Sequence, residues 1–127
     1  MKVKEVMNNA AAIEQDAYVK QAVKIMSDKN IGSLIIVKNK DIVGIITERD
    51  ILKNISSLNS RVSSVMSKKV ITISANSELD EAARLMSKNK IRRLPVIDPA
   101  SGKLSGIITS TDLIAHSEDI EDEFLFD

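Results

Sequence analysis

Two stretches of the chain repeat each other almost residue for residue. Gly44–Asp50, with the sequence Gly-Ile-Ile-Thr-Glu-Arg-Asp, returns as Gly-Ile-Ile-Thr-Ser-Thr-Asp at Gly106–Asp112. Upstream of each stretch, four apolar residues also recur 60 positions apart: Val19, Ala22, Val23 and Met26 match Leu79, Ala82, Ala83 and Met86. Apolar residues at this spacing line one face of a helix, so we expect the same face to be buried in both copies. The repeat therefore predicts two pseudo-symmetric units packed together, with clefts between them of the kind that bind small ligands.

The composition excludes several functional classes. Lys plus Arg and Asp plus Glu both total 18 among 127 residues, so no net field favours nucleic acid or an anionic membrane. Cysteine is absent, which excludes disulfides, thiolate nucleophiles and cysteine-based metal sites. The longest apolar run, Leu34–Val37, is far too short to cross a bilayer, and no apolar signal segment follows the N-terminal charges. We therefore expect a cytoplasmic protein that does not bind membranes. The zero net charge disfavours nucleic acid, which leaves a local face of arginine and lysine as the alternative that would bind it.

Each copy is predicted to follow the order β-α-β-β-α. In the first copy we expect strands at 11–13, 33–38 and 42–47, and helices at 18–29 and 48–54. In the second copy we expect strands at 70–73, 93–97 and 104–109, and helices that end near 89 and 116. Asp16 is the expected N-cap of the first helix, and Ser77–Asp80 is the expected capping box of the third. The predicted fold class is α/β (α+β), with small sheets flanked by helices.

The domain boundaries are placed at the ends of the repeat. We predict a first domain at 1–58, a second at 59–117 and an acidic C-terminal tail at 118–127. The tail combines an acidic run with an apolar end, and it is either a frayed terminus or a helix that packs on another subunit.

Catalysis has little support in the sequence. His116 is the only histidine, and near a helix C-terminus its expected role is to complement the helix dipole. One histidine without any cysteine cannot build the common transition-metal clusters. The four glycines are scattered and form no phosphate-binding loop. We therefore predict no catalytic residue, no metal site and no enzymatic activity.

The repeated Thr-x-x-Asp pairs admit two interpretations. Thr47/Asp50 and Thr109/Asp112 each stand where a predicted strand ends and a helix begins. In the first interpretation each pair is a capping box, in which the threonine caps the helix and the acid bonds back to the backbone. In the second, the hydroxyl and the carboxylate bind the vicinal diol of a ribose, with an anion near the helix N-terminus. Both interpretations stay open at this point.

A pair of arginines stands at the start of one strand. Arg92-Arg93 precedes the strand that contains Pro95, and its counterpart in the first copy is Gly32-Ser33. The arginines are either ordinary solvated charges or a phosphate clamp, since a guanidinium group matches phosphate oxygens bidentately. The small Gly32-Ser33 pair would let the backbone approach a flat ring closely. The second copy thus has two positive charges at the place where the first copy has two small residues.

Taken together, these motifs resemble those of a tandem pair of CBS domains, also called a Bateman module. The resemblance rests on the doubled β-α-β-β-α order, on Val6-Met7 and Val65-Met66 at the starts of the copies, on the two Gly-Ile-Ile-Thr-x-x-Asp segments and on Arg93–Asp98. It covers about residues 3–117. The family's members are regulatory modules that bind adenine nucleotides or adenosyl compounds between their two domains.

The resemblance implies a set of ligand-binding residues. Thr109 and Asp112 would hold a ribose, Ile107 would line the base, and Arg92 and Arg93 would contact phosphate. Four residues of the first copy would complete that cleft around the adenine: Ala22, Ile31, Gly32 and Ser33. A related cleft would use Thr47 and Asp50 with Ile91, and Thr111 completes the predicted set.

The resemblance also implies what the protein binds. AMP, ADP, ATP or S-adenosylmethionine would be a regulatory ligand rather than a cofactor. The expected assembly is a homodimer, and a separate effector protein would receive the signal. The alternative is a ligand-free oligomerisation and protein-interaction scaffold, in which the Thr-x-x-Asp pairs are helix caps and nothing more.

Overall fold

A computed structural model describes residues 1–120 of the chain, which fold as two compact units. One unit consists of Ala11–Val70, and we call it the central unit. The other combines Met1–Ala10 with the chain from Ile71 onward, and we call it the terminal unit. The two units therefore do not divide the chain at one point, because the first ten residues fold with the second half.

The central unit contains one three-stranded sheet and two helices. Its elements in chain order are β1 (Ala12–Glu14), α1 (Val19–Lys29), β2 (Ser33–Lys38), β3 (Asp41–Thr47) and α2 (Glu48–Lys53). The strand order is β1-β2-β3, with β1 parallel to β2 and β3 antiparallel to it. The parallel pair is possible because α1 carries the chain back between the two strands.

The terminal unit repeats this arrangement. Its elements are β4 (Ile73–Ser74), α3 (Leu79–Asn89), β5 (Arg93–Ile97), β6 (Leu104–Thr109) and α4 (Ser110–Ala115). The strand order is β4-β5-β6, again with one parallel and one antiparallel pair. The predicted order β-α-β-β-α and the predicted α/β fold class are confirmed in both halves.

The repeated apolar stripe forms the core of each unit. In α1 the buried residues are Val19, Ala22 and Met26, and Val23 is half-buried. All four matching residues of α3 are buried: Leu79, Ala82, Ala83 and Met86. The middle strands are the most enclosed, since every residue of Ser33–Val37 is buried. Packing of one helix face onto a central strand explains why this stripe recurs in the sequence.

The hairpins of the two units differ. Only Asn39 and Lys40 separate β2 from β3, and both have positive φ angles, 54° and 69°, as a type I′ turn requires. The hairpin of the terminal unit is longer and passes through Gly102, whose φ is 74°. The extra residues at 98–102 in the second copy therefore lie in this turn.

Three predicted boundaries were wrong. The residue that precedes α1 is Tyr18 and not Asp16; the Gln21 side chain accepts a hydrogen bond from the Tyr18 N–H at 2.8 Å. Helix α3 follows Glu78, and no side chain caps it, so the capping box predicted at Ser77–Asp80 does not form. The Glu78 carboxylate instead bonds to Lys2, which is distant in sequence. The strand predicted from 70 begins at Ile73, where pairing with β5 starts.

Each copy begins with a short 3₁₀ helix that packs into the other copy's unit. Val3 is fully buried in the core of the terminal unit, and its N–H donates to the Ser77 carbonyl at 2.8 Å. Val62 is fully buried in the core of the central unit, and its N–H donates to the Ala17 carbonyl at 2.8 Å. The predicted domains, 1–58 and 59–117, follow the sequence repeat and stay a prediction; the compact units group the same residues by packing.

The start of the predicted acidic tail is part of the terminal unit. A 3₁₀ turn spans Ser117–Asp119, and Ile120 is buried in that unit's core. The remainder of the tail, 121–127, lies outside the described residues. Within residues 1–120, no helix combines the length and the hydrophobicity that crossing a bilayer requires.

Candidate functional site

The Thr109/Asp112 pair forms a reciprocal cap at the start of α4. Asp112 Oδ2 accepts hydrogen bonds from the Thr109 N–H at 2.8 Å and from the Thr109 hydroxyl at 2.9 Å. The Asp112 N–H donates in return to Thr109 Oγ1 at 3.3 Å. These bonds satisfy backbone donors that a helix start leaves without partners. The capping interpretation of this pair is confirmed.

The Thr47/Asp50 pair has the same geometry at the start of α2. Asp50 Oδ2 accepts from the Thr47 N–H at 2.9 Å and from its hydroxyl at 3.0 Å, and the Asp50 N–H donates to Thr47 Oγ1 at 3.3 Å. All four residues of the two pairs are half-buried. Among residues 1–120, Oδ1 of each aspartate forms no hydrogen bond, so each carboxylate keeps one oxygen able to accept from a ligand hydroxyl. The role of the pairs in binding a ribose stays a prediction.

The glycine of each Gly-Ile-Ile segment makes room for a strand-like segment that precedes β1 or β4. Asn8 and Ile107 exchange two backbone hydrogen bonds, at 2.8 and 2.9 Å. A Cβ on Gly106 would lie 2.7 Å from the Asn8 carbonyl oxygen, well inside van der Waals contact. In the central unit Ser67 and Ile45 exchange two bonds of 2.9 Å each in the same way. The repeated glycines are therefore required by this close backbone approach.

One side chain in this segment reaches the candidate site, and sequence reasoning missed it. The Asn8 amide donates from Nδ2 to Asp112 Oδ2 at 2.9 Å. These two residues are 104 positions apart, so no local motif indicates the contact. The repeated glycine at 106 was the only sequence signal, because it marks where another backbone segment must approach.

The two predicted residue pairs at strand starts lie beside the capping pairs. In the terminal unit Arg93 is paired with Thr109 across β5 and β6, and the Ser110 N–H donates to the Arg92 carbonyl at 2.8 Å. In the central unit Ser33 is paired with Thr47, and the Glu48 N–H donates to the Gly32 carbonyl at 3.1 Å. In the described part of the chain neither arginine side chain forms an ion pair, so both charges are available to an anion.

The predicted site residues fall into two groups of six. The terminal unit brings together Arg92, Arg93, Ile107, Thr109, Thr111 and Asp112, and the central unit contains Ala22, Ile31, Gly32, Ser33, Thr47 and Asp50. Arg92 and Thr111 are exposed, whereas Ala22 is fully buried in its unit's core and Ser33 is also buried. The prediction that residues of both groups serve one ligand stays a prediction.

The described residues contain no cluster of metal-binding side chains. Within residues 1–120, no three histidine, aspartate or glutamate side chains gather as they would to bind a metal ion. What the terminal unit does offer is a carboxylate oxygen and a hydroxyl in the Thr109/Asp112 pair, with the backbones of Arg92 and Arg93 adjacent to it. Such donors and acceptors suit a polar ligand that carries both hydroxyls and an anionic group.

Comparisons with known proteins identify the family and the fold. A family model described as CBS domain matches residues 3–57 and 62–119. An inosine-5′-monophosphate dehydrogenase of Nitrosopumilus maritimus is 35% identical over 113 residues, which cover 88% of this chain and 23% of the dehydrogenase. The chain thus spans about a quarter of the length of the dehydrogenases that it matches.

Two solved structures with bound ligands share the fold. The CBS domain pair of protein MJ0100, in complex with 5′-methylthioadenosine and S-adenosyl-L-methionine, has a TM-score of 0.80 and 30% identity, over 93% of this chain and 96% of that one. The structure of CBSX2 in complex with AMP has a TM-score of 0.79 and 26% identity, over 92% and 96%. Both ligand sets share an adenosyl group.

Proposed function

The chain belongs to the CBS domain family, and from this premise we propose that it is a regulatory module that senses an adenine nucleotide or another adenosyl compound. Support comes from the structural neighbours that were solved with AMP or with S-adenosyl-L-methionine and 5′-methylthioadenosine. The ligand would act as a signal and would not take part in a reaction. AMP, ADP, ATP and S-adenosylmethionine are the candidates.

The observation that carries the proposal is the grouping around Asp112. Its Oδ2 is held by Thr109, while its Oδ1 has no hydrogen-bond partner among the described residues. A carboxylate oxygen in this state accepts hydrogen bonds from the hydroxyls of a ribose. Arg92 and Arg93, adjacent to this pair in the fold, would bind a phosphate group. Ile107 would line the base, and Thr111 would contribute its hydroxyl at the exposed edge.

The central unit offers space at the positions that match the two arginines. Gly32 has no side chain and Ser33 has a small one, so the backbone there can approach a flat ring closely. Ile31 is half-buried and would give apolar surroundings to a ring bound there, while Ala22 is fully buried and would support this surface from the core. Thr47 and Asp50 repeat the reciprocal cap, with Gly32 and Ser33 at the places that Arg92 and Arg93 hold in the terminal unit. Glu48 and Arg49 stand between the two members of this pair in the sequence.

A sensor of this kind needs two arrangements that bind the ligand unequally. We propose that the chain acts as a homodimer in the cytoplasm and signals to a separate effector protein. We also propose that it has no enzymatic activity of its own. The dehydrogenases are matched over about a quarter of their length, so their activity is not transferred to this chain.

A thermal-shift series tests the proposal. Adenosine, AMP, ADP, ATP and S-adenosylmethionine are each added at concentrations well above micromolar. Ligand at 100 times its Kd stabilises the folded protein by about 2.7 kcal/mol, which raises Tm by several degrees in a chain of this size. Stabilisation by one or more of these compounds supports the sensor and identifies its signal; no shift from any of them contradicts it.

Two substitutions locate the ligand on the chain. Asp112→Ala removes the ribose acceptor and should weaken binding by more than about 1 kcal/mol while the protein stays folded. Arg92→Ala should weaken the binding of AMP more than the binding of adenosine, because only AMP has a phosphate. Isothermal titration calorimetry measures both, with circular dichroism as the check on folding. Equal affinities for wild type and Asp112→Ala would contradict the assignment of Asp112.

The confirmed caps favour a second candidate function, a ligand-free interaction scaffold. The hydrogen bonds within each Thr/Asp pair account for those residues without any ligand. Leu52 and Ile114 leave 71% and 64% of their surfaces exposed, and apolar surface of this kind can bind a partner protein. In a scaffold, Thr47→Val and Thr109→Val would each cost about 0.5–2 kcal/mol of stability, and the Tm of every variant would be unaffected by adenosyl compounds.

A further inference from the structure

The two capping pairs differ by one hydrogen bond. Asp112 Oδ2 accepts from Thr109 N, from Thr109 Oγ1 and from Asn8 Nδ2, with distances of 2.8, 2.9 and 2.9 Å. Asp50 Oδ2 accepts only the two bonds from Thr47 among the contacts of residues 1–120. The third donor is thus a feature of the terminal unit.

The backbone around that donor is the same in both units. Asn8 and Ile107 form an isolated antiparallel bridge, and Ser67 and Ile45 form its counterpart. Asn8 and Ser67 therefore hold matching positions, and both are exposed. A serine side chain ends at Oγ, one bond beyond Cβ, while the asparagine amide reaches one bond further. Within the described residues, Ser67 makes no bond to Asp50.

We propose that Asn8 is a positioning residue for ligand binding, which orients the Asp112 carboxylate and makes Thr109/Asp112 the more diol-selective of the two pairs. This inference rests on the proposed function, in which Asp112 receives the ribose hydroxyls. Nothing in the sequence repeat assigns Asn8 to the site. It enters from the first ten residues, which fold with the terminal unit.

The physical reason is the restraint on the carboxylate plane. Two bonds from Thr109 reach Oδ2 from the residue that starts the helix, and the carboxylate can still turn about its own axis. The Asn8 amide comes from a different segment, fixed by two backbone bonds to Ile107. Three donors from two segments leave one orientation, so Oδ1 points in one direction before a ligand arrives. A group ordered in advance loses less conformational freedom on binding.

The test measures how much each variant depends on the ribose hydroxyls. Asn8→Ser places the residue of the central unit in the terminal unit, and isothermal titration calorimetry compares AMP with 2′,3′-dideoxy-AMP. We expect Asn8→Ser to weaken the binding of AMP about fivefold, the net contribution expected of one ordinary hydrogen bond. Binding of the dideoxy compound should not change, because it has no hydroxyls for Asp112 to accept.

The neighbouring Asn9 provides the matched control. Asn9 is also an exposed asparagine, and no hydrogen bond of its side chain is present in residues 1–120. Asn9→Ser should bind both ligands as the wild type does. A double-mutant cycle of Asn8→Ser with Asp112→Ala, measured by urea unfolding without ligand, should show non-additive effects on stability because the two side chains share a bond.

Each outcome of the titration either supports or overturns the proposed role of Asn8. Equal weakening of AMP and the dideoxy compound would show that Asn8 only supports the fold, and it would overturn the inference while leaving the sensor function intact. Unchanged AMP binding in Asn8→Ser would overturn it as well. Absence of adenosyl binding to the wild type would overturn the proposed function, and the inference with it. Selective loss for AMP supports both.

Discussion

The central and terminal units have one backbone plan and different side chains at the candidate site. Both have the glycine that admits a neighbouring segment, and both have the reciprocal Thr/Asp cap with nearly the same distances. The terminal unit adds Arg92, Arg93 and Asn8 beside its cap. The central unit has Gly32, Ser33 and Ser67 at the same places.

Comparing the two units distinguishes residues that support the fold from residues that would determine which ligand binds. The features that the units share satisfy backbone groups or permit close approach in both. The features that differ are charged, polar or small side chains, which range from the buried Ser33 to the exposed Arg92 and Asn8. Residues that break the repeat are therefore better candidates for specificity than residues that preserve it.

The largest effects should come from the shared glycines. Gly106→Ala places a methyl group 2.7 Å from the Asn8 carbonyl oxygen, and Gly44→Ala places one 2.8 Å from the Ser67 carbonyl oxygen. Because these obstacles are backbone atoms, the segments must shift, at a cost of about 1–3 kcal/mol in each variant. Urea unfolding measures the loss. If only one variant is destabilised, the two units do not share the requirement for glycine at this position, and the comparison between them would be wrong.

A smaller effect distinguishes the ends of the two long helices. Asn30 and Lys90 follow α1 and α3 in the left-handed conformation, with φ angles of 53° and 55°. Asparagine tolerates that conformation better than lysine does. Lys90→Gly should therefore raise the free energy of unfolding by about 0.5–1 kcal/mol, and Asn30→Gly by only a few tenths. Equal gains in the two variants would show that side-chain type does not matter at this position.

The smallest effect should distinguish two matching surface contacts. Glu78 binds Lys2 at 2.8 Å, whereas Tyr18, at the same place in the central unit, lies under the Arg61 guanidinium with 4.3 Å from its carbon to the ring centre. The hydrogen bond from Lys2, followed by that from the N-terminal amino group, lowers the pKa of Glu78 below its ordinary value. The Tyr18–Arg61 contact contains no carboxylate.

The sign of the pH effect follows from the lowered pKa. Stability from the Glu78 contacts is present above the unfolded-state pKa of about 4.3 and is lost as the pH falls through the lower folded-state value. The advantage of the wild type over Glu78→Gln should therefore be slight at pH 7 and smaller at pH 3. Unfolding free energies at the two pH values measure this. A difference that persists unchanged at pH 3 would mean that the carboxylate charge is not responsible.

Local patterns predicted most of the fold. Strands β2, β5 and β6 have the predicted limits, because runs of β-branched residues and turn signals define them within a few residues. The apolar residues predicted to be buried in α1 and α3 were also predicted well, since burial of one helix face imposes a spacing that is visible in the sequence. Helix starts were predicted less well. At α1 the Gln21 side chain bonds to the Tyr18 N–H, and at α3 no side chain caps the helix, since Glu78 bonds to the distant Lys2.

Long-range pairing could not be predicted from the repeat. The repeat suggested that each copy folds on itself, while Val3 and Val62 pack into the opposite units. Nothing local in either segment specifies its partner, because both are apolar residues before a short turn. The same limitation hid Asn8. The Thr/Asp pairs were predicted because their members are three residues apart. Asn8 was not predicted, because its partner Asp112 is 104 positions away.

The grouping of Met1–Ala10 with the second half of the chain determines what truncation or permutation would do. The repeated unit in the sequence and the compact unit in the fold begin and end at different residues. A cut between 58 and 59 would give two fragments, each lacking the buried valine that completes its core and carrying the one that belongs to the other. Such fragments should recover their structure only when mixed. A permuted chain that starts at Ala11, with the first ten residues joined ahead of Ile71, would make each unit contiguous in sequence for the first time.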